Sequence, residues 1–206
     1  MSTPTFTITA APSTDIWRKP PSTDVYNAPT ATPPSLITTG PLPSFLSARA
    51  TFSFPWRHQY DQAGLLLAFH PPPSSPARTS PSPARWIKTG VEFYNSRPML
   101  STVSCDRWAD WSVTPLPPTA EGGEVWTTVS IEKQNLDGHG WSLWVFQVLE
   151  DGEKVPLREI CWVYGDEDGG EGWTVEVSAM AARPEKEVEG GEGLVVTVRE
   201  MDVVWK

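Results

Sequence analysis

Proline sets the first limit on this chain, with 22 in 206 residues. Each removes a helix donor and clashes with the preceding turn, so a helical bundle is excluded. The 11 Trp and a hydrophobic share of 39% exclude a disordered chain, which cannot bury enough apolar surface to offset its ordering entropy. The class that remains is all-β and rich in turns. The length suits one domain over residues 1–206.

Nine prolines fall in residues 1–45, where Phe6, Ile8, Ile16, Trp17, Val25 and Tyr26 punctuate Ser and Thr. This predicts a short strand near 6–10, then irregular chain wrapped over the domain. From residue 48, Ala50, Phe52, Phe54 and Trp56 alternate with Arg49, Thr51 and Ser53 at the strand period. Residues 64–70 form a more continuously apolar strand. Residues 71–85 hold six Pro and four Ser, too many for a turn, which predicts an exposed loop acting as a lid or rim. In residues 86–94, Ile87, Thr89, Val91 and Phe93 point one way, and Trp86, Lys88, Glu92 and Tyr94 the other. Asn95 to Pro98 makes a hairpin turn into strand 99–105, and strand 111–116 follows. Strands at 124–132, 141–149 and 155–164 read as a meander, with Asp137-Gly138 and Asp151-Gly152 as turns. Strands 172–179 and 194–205 finish a count of about eleven. The prediction is a two-sheet antiparallel β-sandwich of jelly-roll type.

The net charge of −9 is uneven. Residues 1–100 carry eight Lys/Arg and four Asp/Glu, whereas residues 101–206 carry eight and twenty-one. Without a basic cluster, no nucleic-acid partner is expected. No run approaches the roughly 20 apolar residues of a membrane helix, and the N-terminus has no signal-peptide pattern, so a soluble cytoplasmic protein is expected. Oligomeric state is left open, a homodimer included. Cys105 and Cys161 fall in predicted strands and read as two free buried thiols, with one disulfide as the alternative. The acidic run Asp166-Glu167-Asp168 reads as a solvated loop or, less simply, a weak cation site. His58, His70 and His139 lack metal-ligand spacing, and Walker, Rossmann, Gly-x-Ser-x-Gly and Cys-x-x-Cys motifs are missing. Neither metal nor cofactor is expected.

Several segments carry a resemblance. His58-Gln59-Tyr60-Asp61-Gln62-Ala63-Gly64-Leu65, then Trp86 to Phe93, Leu100-Ser101-Thr102-Val103 and Asp110-Trp111-Ser112 resemble a family of unknown function that includes a fungal protein named for regulation of enolase. Asp15-Ile16-Trp17-Arg18 resembles its N-terminal signature, and Ala181-Ala182-Arg183-Pro184 a late motif of its fungal branch. The resemblance implies a concanavalin A-like sandwich with a concave face, but no settled activity. Similar proteins include glycan-associated modules, a metabolic regulator and members of natural-product pathways, some of them thought to be cofactor-free cyclases.

The outward face of 86–94 is the leading functional candidate. Lys88 and Glu92 share it about 13 Å apart by strand rise, too far to pair directly. Were strand 157–164 its neighbour, Arg158 and Trp162 would join them in one cavity. The catalytic candidates are Lys88, Arg158, Glu92 and Asp61. The substrate-binding candidates are Trp86, Tyr94, Trp162, Tyr60, Gln62, Arg107 and Trp111. A few convergent polar groups among aromatic walls suit a small-molecule substrate. The alternative is a buried ion network, Glu92 with Arg158 or Lys88, that stiffens the sheet. Asp61 also reads as turn-shaping, and Trp111 as a plug in the sandwich, while Trp56, Trp126 and Trp205 read as core. Four functions compete. They are a pericyclase-like cyclase of fungal secondary metabolism, a carbohydrate-binding module, a glycosidase using Glu92 with Asp61 or Asp106, and a regulatory partner of a metabolic enzyme.

Overall fold

A computed structural model describes residues 5–76, 80–117, 125–136, 138–165 and 169–206. The chain forms two antiparallel sheets packed face to face, with only short 3-10 turns as helical structure among these residues. The strands are β1 (Phe6–Ala10), β2 (Ile16–Lys19), β3 (Thr23–Tyr26), β4 (Thr30–Ala31), β5 (Thr39–Pro41), β6 (Phe45–Ser53), β7 (Gln62–His70), β8 (Arg85–Tyr94), β9 (Arg97–Cys105), β10 (Ala109–Pro115), β11 (Thr127–Gln134), β12 (Ser142–Val148), β13 (Lys154–Ile160), β14 (Thr174–Ala182) and β15 (Leu194–Trp205). One sheet has the order β1-β15-β6-β11-β12-β13, and the other β10-β9-β8-β7-β14-β4 with β5 also on β14. β2 and β3 form a separate hairpin. No helix among the described residues is long and apolar enough to cross a membrane.

The alternating pattern of the sequence sorts the core. Ile87 and Val91 of β8 join Leu65, Leu67, Phe69, Phe52, Val129 and Val196 between the sheets. β7 is buried over almost its whole length, because its other face is covered too. There Leu66, Trp86, Val103, Cys105 and Met180 pack with Ile16 of the β2–β3 hairpin. That double cover accounts for the unbroken apolar run at 64–70. Asn95 and Ser96, both at positive φ, make the tight β8–β9 hairpin.

Several expectations are corrected. The N-terminal wrap is not irregular, because β2 to β5 lie within it. Strand 155–164 stops at Ile160, and Trp162 to Tyr164 form a 3-10 turn. β8 and β13 are not neighbours but belong to different sheets. Cys161 is exposed and lies outside any strand, although both thiols are free. Trp126 is half-buried beneath the Arg199 guanidinium, Trp56 and Trp205 pack only at the core margin, and the fully buried indole is that of Trp86. Asp137 and the run Asp166-Glu167-Asp168 lie outside the described residues.

Candidate functional site

The outer face of the seven-stranded sheet carries a cavity of about 530 Å³. Its floor is β7, β8 and β9, seen through Gln62, Lys88, Glu92 and Val103. Its walls are Asp15 and Trp17 from the β2 segment, Gln59 and Tyr60 from the loop before β7, Trp111 of β10, and Pro184 to Lys186 after β14.

Lys88 is only 5% exposed and faces apolar partners across both neighbouring strands, Leu66 and Val103. A buried ammonium needs compensation. It donates to Gln62 Oε1 at 2.7 Å and to Asp15 Oδ1 at 3.2 Å. Those bonds use two of its three N–H groups. Asp15 is itself fixed, since its backbone N–H donates to Asn27 Oδ1 at 2.8 Å. Lys88 also lies 6.0 Å from the Trp17 and Trp86 ring centres.

Glu92 accepts through Oε2 alone, from Ser101 Oγ at 2.7 Å and Trp111 Nε1 at 2.9 Å. Its Oε1 makes no hydrogen bond to any described residue. Burial pushes its carboxyl above the usual carboxylate range, against the opposing pull of the Lys88 charge and of the Ser101 and Trp111 donors. An acid whose folded value is raised stabilises most below the unfolded value, about 4.3 for Glu, and that contribution is lost as pH rises through the folded value. Glu92→Gln is therefore expected to gain stability relative to the wild type as pH rises through that window. Urea unfolding midpoints across pH check this, and parallel curves for the two proteins would refute it.

Of the predicted site residues, Lys88, Glu92, Gln62, Tyr60 and Trp111 line the cavity. Tyr94 stands behind them, stacked on Tyr60 at 5.8 Å and edge-on to Trp111 at 5.0 Å. Trp111 thus borders the cavity rather than plugging the sandwich. Trp86 lies beneath the hairpin and does not line the wall.

Four other residues are placed elsewhere. Arg158 extends from the other sheet to pair with Asp110 and donates to Ser112 Oγ at 3.1 Å. Trp162 packs edge-on to Phe69 and donates to Ser104 Oγ at 2.8 Å. Arg107 lines a separate cleft with Trp108, Arg85 and Asp106. Asp61 is fully buried, held by Arg183 Nε and Nη2 at 2.8 and 2.9 Å. Its Oδ2 also accepts the backbone N–H groups of Arg57 and His58, each at 3.0 Å. That carboxylate is spent on structure, and Asp106 pairs with Arg85, so the carboxylate pairs proposed for a glycosidase do not assemble in the cavity. The described part of 71–85 rims the Arg107 cleft and does not line the cavity, and residues 77–79 of that loop lie outside the described residues.

Asp15, Trp17, Gln59, Val103, Pro184, Glu185 and Lys186 were missed as lining. Asp15 and Trp17 lie in the N-terminal signature, and Pro184 ends the late motif, so these segments carried a signal without an assigned role. Among the described residues no group of three His, Cys, Asp or Glu is placed to hold a metal.

The fold is that of a two-sheet antiparallel β-sandwich protein, here with a cavity on the outer face of one sheet. The chain belongs to the family described as protein of unknown function (DUF1349), whose model matches residues 1–204. It is 38% identical over 179 residues to the uncharacterized protein AN7484 of Emericella nidulans, covering 87% of this chain and 77% of that one. A functionally unknown protein from Saccharomyces cerevisiae has a similar structure, with a TM-score of 0.66 at 20% identity over 100% of this chain and 90% of its own. The GH43 protein BlXynB from Bacillus licheniformis aligns with a TM-score of 0.47 at 12% identity, over 79% of this chain and 28% of its own. A likeness that remote carries no argument about activity.

Proposed function

We propose that the cavity binds a small organic molecule bearing a carbonyl or phenolic oxygen and promotes its proton transfer and ring closure without a cofactor. One observation carries this reading. The third N–H of Lys88 and the unbonded Oε1 of Glu92 belong to the same cavity, between the rings of Trp17, Trp111 and Tyr60. In this scheme the ammonium stabilises negative charge developing on the ligand oxygen. The Glu92 carboxyl, whose proton affinity is raised by burial, exchanges a proton with the ligand. The aromatic walls hold a flexible chain folded for ring closure, which supplies proximity rather than covalent chemistry. The setting we propose is fungal secondary metabolism in the cytoplasm, with an aromatic, terpenoid or polyketide intermediate as substrate and the whole chain acting as one domain.

A second reading is a carbohydrate-binding module. The Trp17 and Trp111 rings beside Asp15, Gln62 and Lys88 suit a sugar ring stacked and hydrogen-bonded at its hydroxyls. A role as regulatory partner of a metabolic enzyme rests on the resemblance to the enolase-associated protein alone.

Calorimetric titration separates the first two readings. 4-Hydroxybenzaldehyde is expected to bind, and Lys88→Met to weaken it tenfold or more, the loss of about one charged hydrogen bond. Xylose and cellobiose are expected to show no heat. Sugar binding without aldehyde binding would support the second reading, and no binding of either up to millimolar concentration would overturn both. Catalysis is read by NMR in D2O, where the wild type should speed exchange of the acetophenone methyl protons and Glu92→Gln should not.

A further inference from the structure

The chain between β7 and β8 is tied to the β2–β3 hairpin by a polar knot. Ser80 Oγ donates to Asp24 Oδ2 at 2.6 Å, and Ser82 Oγ reaches the same oxygen at 2.7 Å. Asp24 faces Arg18 across the hairpin, and their side chains pair at 3.1 Å. Arg18 is 6% exposed. Its Nη1 donates to Ala84 O at 3.0 Å and points to Cys105 Sγ at 3.7 Å. Its Nη2 donates to Ser82 Oγ at 2.6 Å and to Pro83 O at 2.8 Å. With Asp24, these five acceptors take all five guanidinium N–H groups. The residue before Arg18 is Trp17, a wall of the cavity.

Ser80 and Ser82 each precede a proline, Pro81 and Pro83. Ser82 is 4% exposed, whereas Ser80 is half-exposed beside an exposed Pro81. We propose that Ser80 is a phosphorylation site for a proline-directed protein kinase, and that a phosphate there releases the β2–β3 hairpin. In the transfer, Ser80 Oγ forms a bond to the γ-phosphorus of ATP and the bond from that phosphorus to the β-phosphate oxygen breaks. ADP leaves, and the hydroxyl proton passes to the kinase's base.

The consequence follows from charge and donor count. The hydroxyl that donates to Asp24 becomes an acceptor group carrying about −1.5 to −2 charges. It then lies against a carboxylate with which it shares no proton. Arg18 cannot neutralise it without giving up an acceptor it already holds. Asp24, and with it the Arg18 side of the hairpin, must move away. This inference is independent of what the cavity binds.

The test uses the purified full chain, ATP and a proline-directed kinase, with peptide mass spectrometry to place the phosphate. Phosphate is expected on Ser80 and not on Ser82. Trypsin is expected to cut after Arg18 at least tenfold faster in the phosphorylated protein, and phosphatase treatment should restore the slow rate. Ser80→Ala incubated with the same kinase should keep the slow rate. Absence of phosphate from Ser80 would overturn the proposal. So would phosphate on Ser80 with cleavage after Arg18 unchanged. Titration of the unphosphorylated protein with 4-hydroxybenzaldehyde reports on the cavity separately, so the two ideas can fail independently.

Discussion

Asp61→Ala is expected to cost about 3–5 kcal/mol of folding stability, the range for removing one partner of a buried ion pair. The reason is the Arg183 guanidinium, which is 2% exposed and would be left facing a void. The loss extends to the cavity, because Arg183 holds three of its rims. Through Asp61 it fixes the 57–61 turn that presents Gln59 and Tyr60, the latter at a φ of +68°. Its backbone exchanges hydrogen bonds with Thr14 just before Asp15. Its own chain continues into Pro184, Glu185 and Lys186. Guanidinium chloride unfolding measures the effect. An Asp61→Ala protein with wild-type stability and abolished turnover would instead favour the catalytic one of the two readings that the sequence left open for Asp61.

Gly90→Ala is expected to destabilise by about 3 kcal/mol or more, at the upper end for forced overpacking. Gly90 faces Gly64 in register at the centre of the seven-stranded sheet. A methyl group on Gly90 would come 2.0 Å from the carbonyl oxygen of Ala63, and one on Gly64 equally close to that of Thr89. Backbone atoms cannot rotate aside as a side chain can, so β7 and β8 would have to separate. That would also move Gln62, on β7, away from Lys88, on β8. A urea midpoint equal to that of the wild type would show that the strands accommodate the methyl group and that the pinch is not rigid.

The sequence made β8 legible because its pattern is local. Alternation alone put Ile87 and Val91 in the core and Lys88 with Glu92 on the other face, where they line the cavity. It also separated the two charged groups, and Lys88 does find its partners in Asp15 and Gln62. Arg158 and Trp162 failed for a nonlocal reason. Their place depended on whether β13 lies beside β8, and nothing in either segment specifies a neighbour in the sheet. Asp61 was ambiguous for a related reason, since its partner Arg183 lies 122 residues away. The β2–β3 hairpin was hidden by proline, because Pro20 and Pro21 sit in the turn between strands only four residues long.

The placement of β15 bears on how the protein is made. This last strand lies between β1 and β6, pairing with β1 over five positions and with β6 over eight. During translation β1 and β6 therefore emerge long before the strand that joins them. Until β15 leaves the ribosome, both present open edges to other nascent chains, which is the exposure that favours aggregation. Substitutions in β15 should thus reduce the yield of folded protein in the cell more than their effect on the finished molecule would suggest.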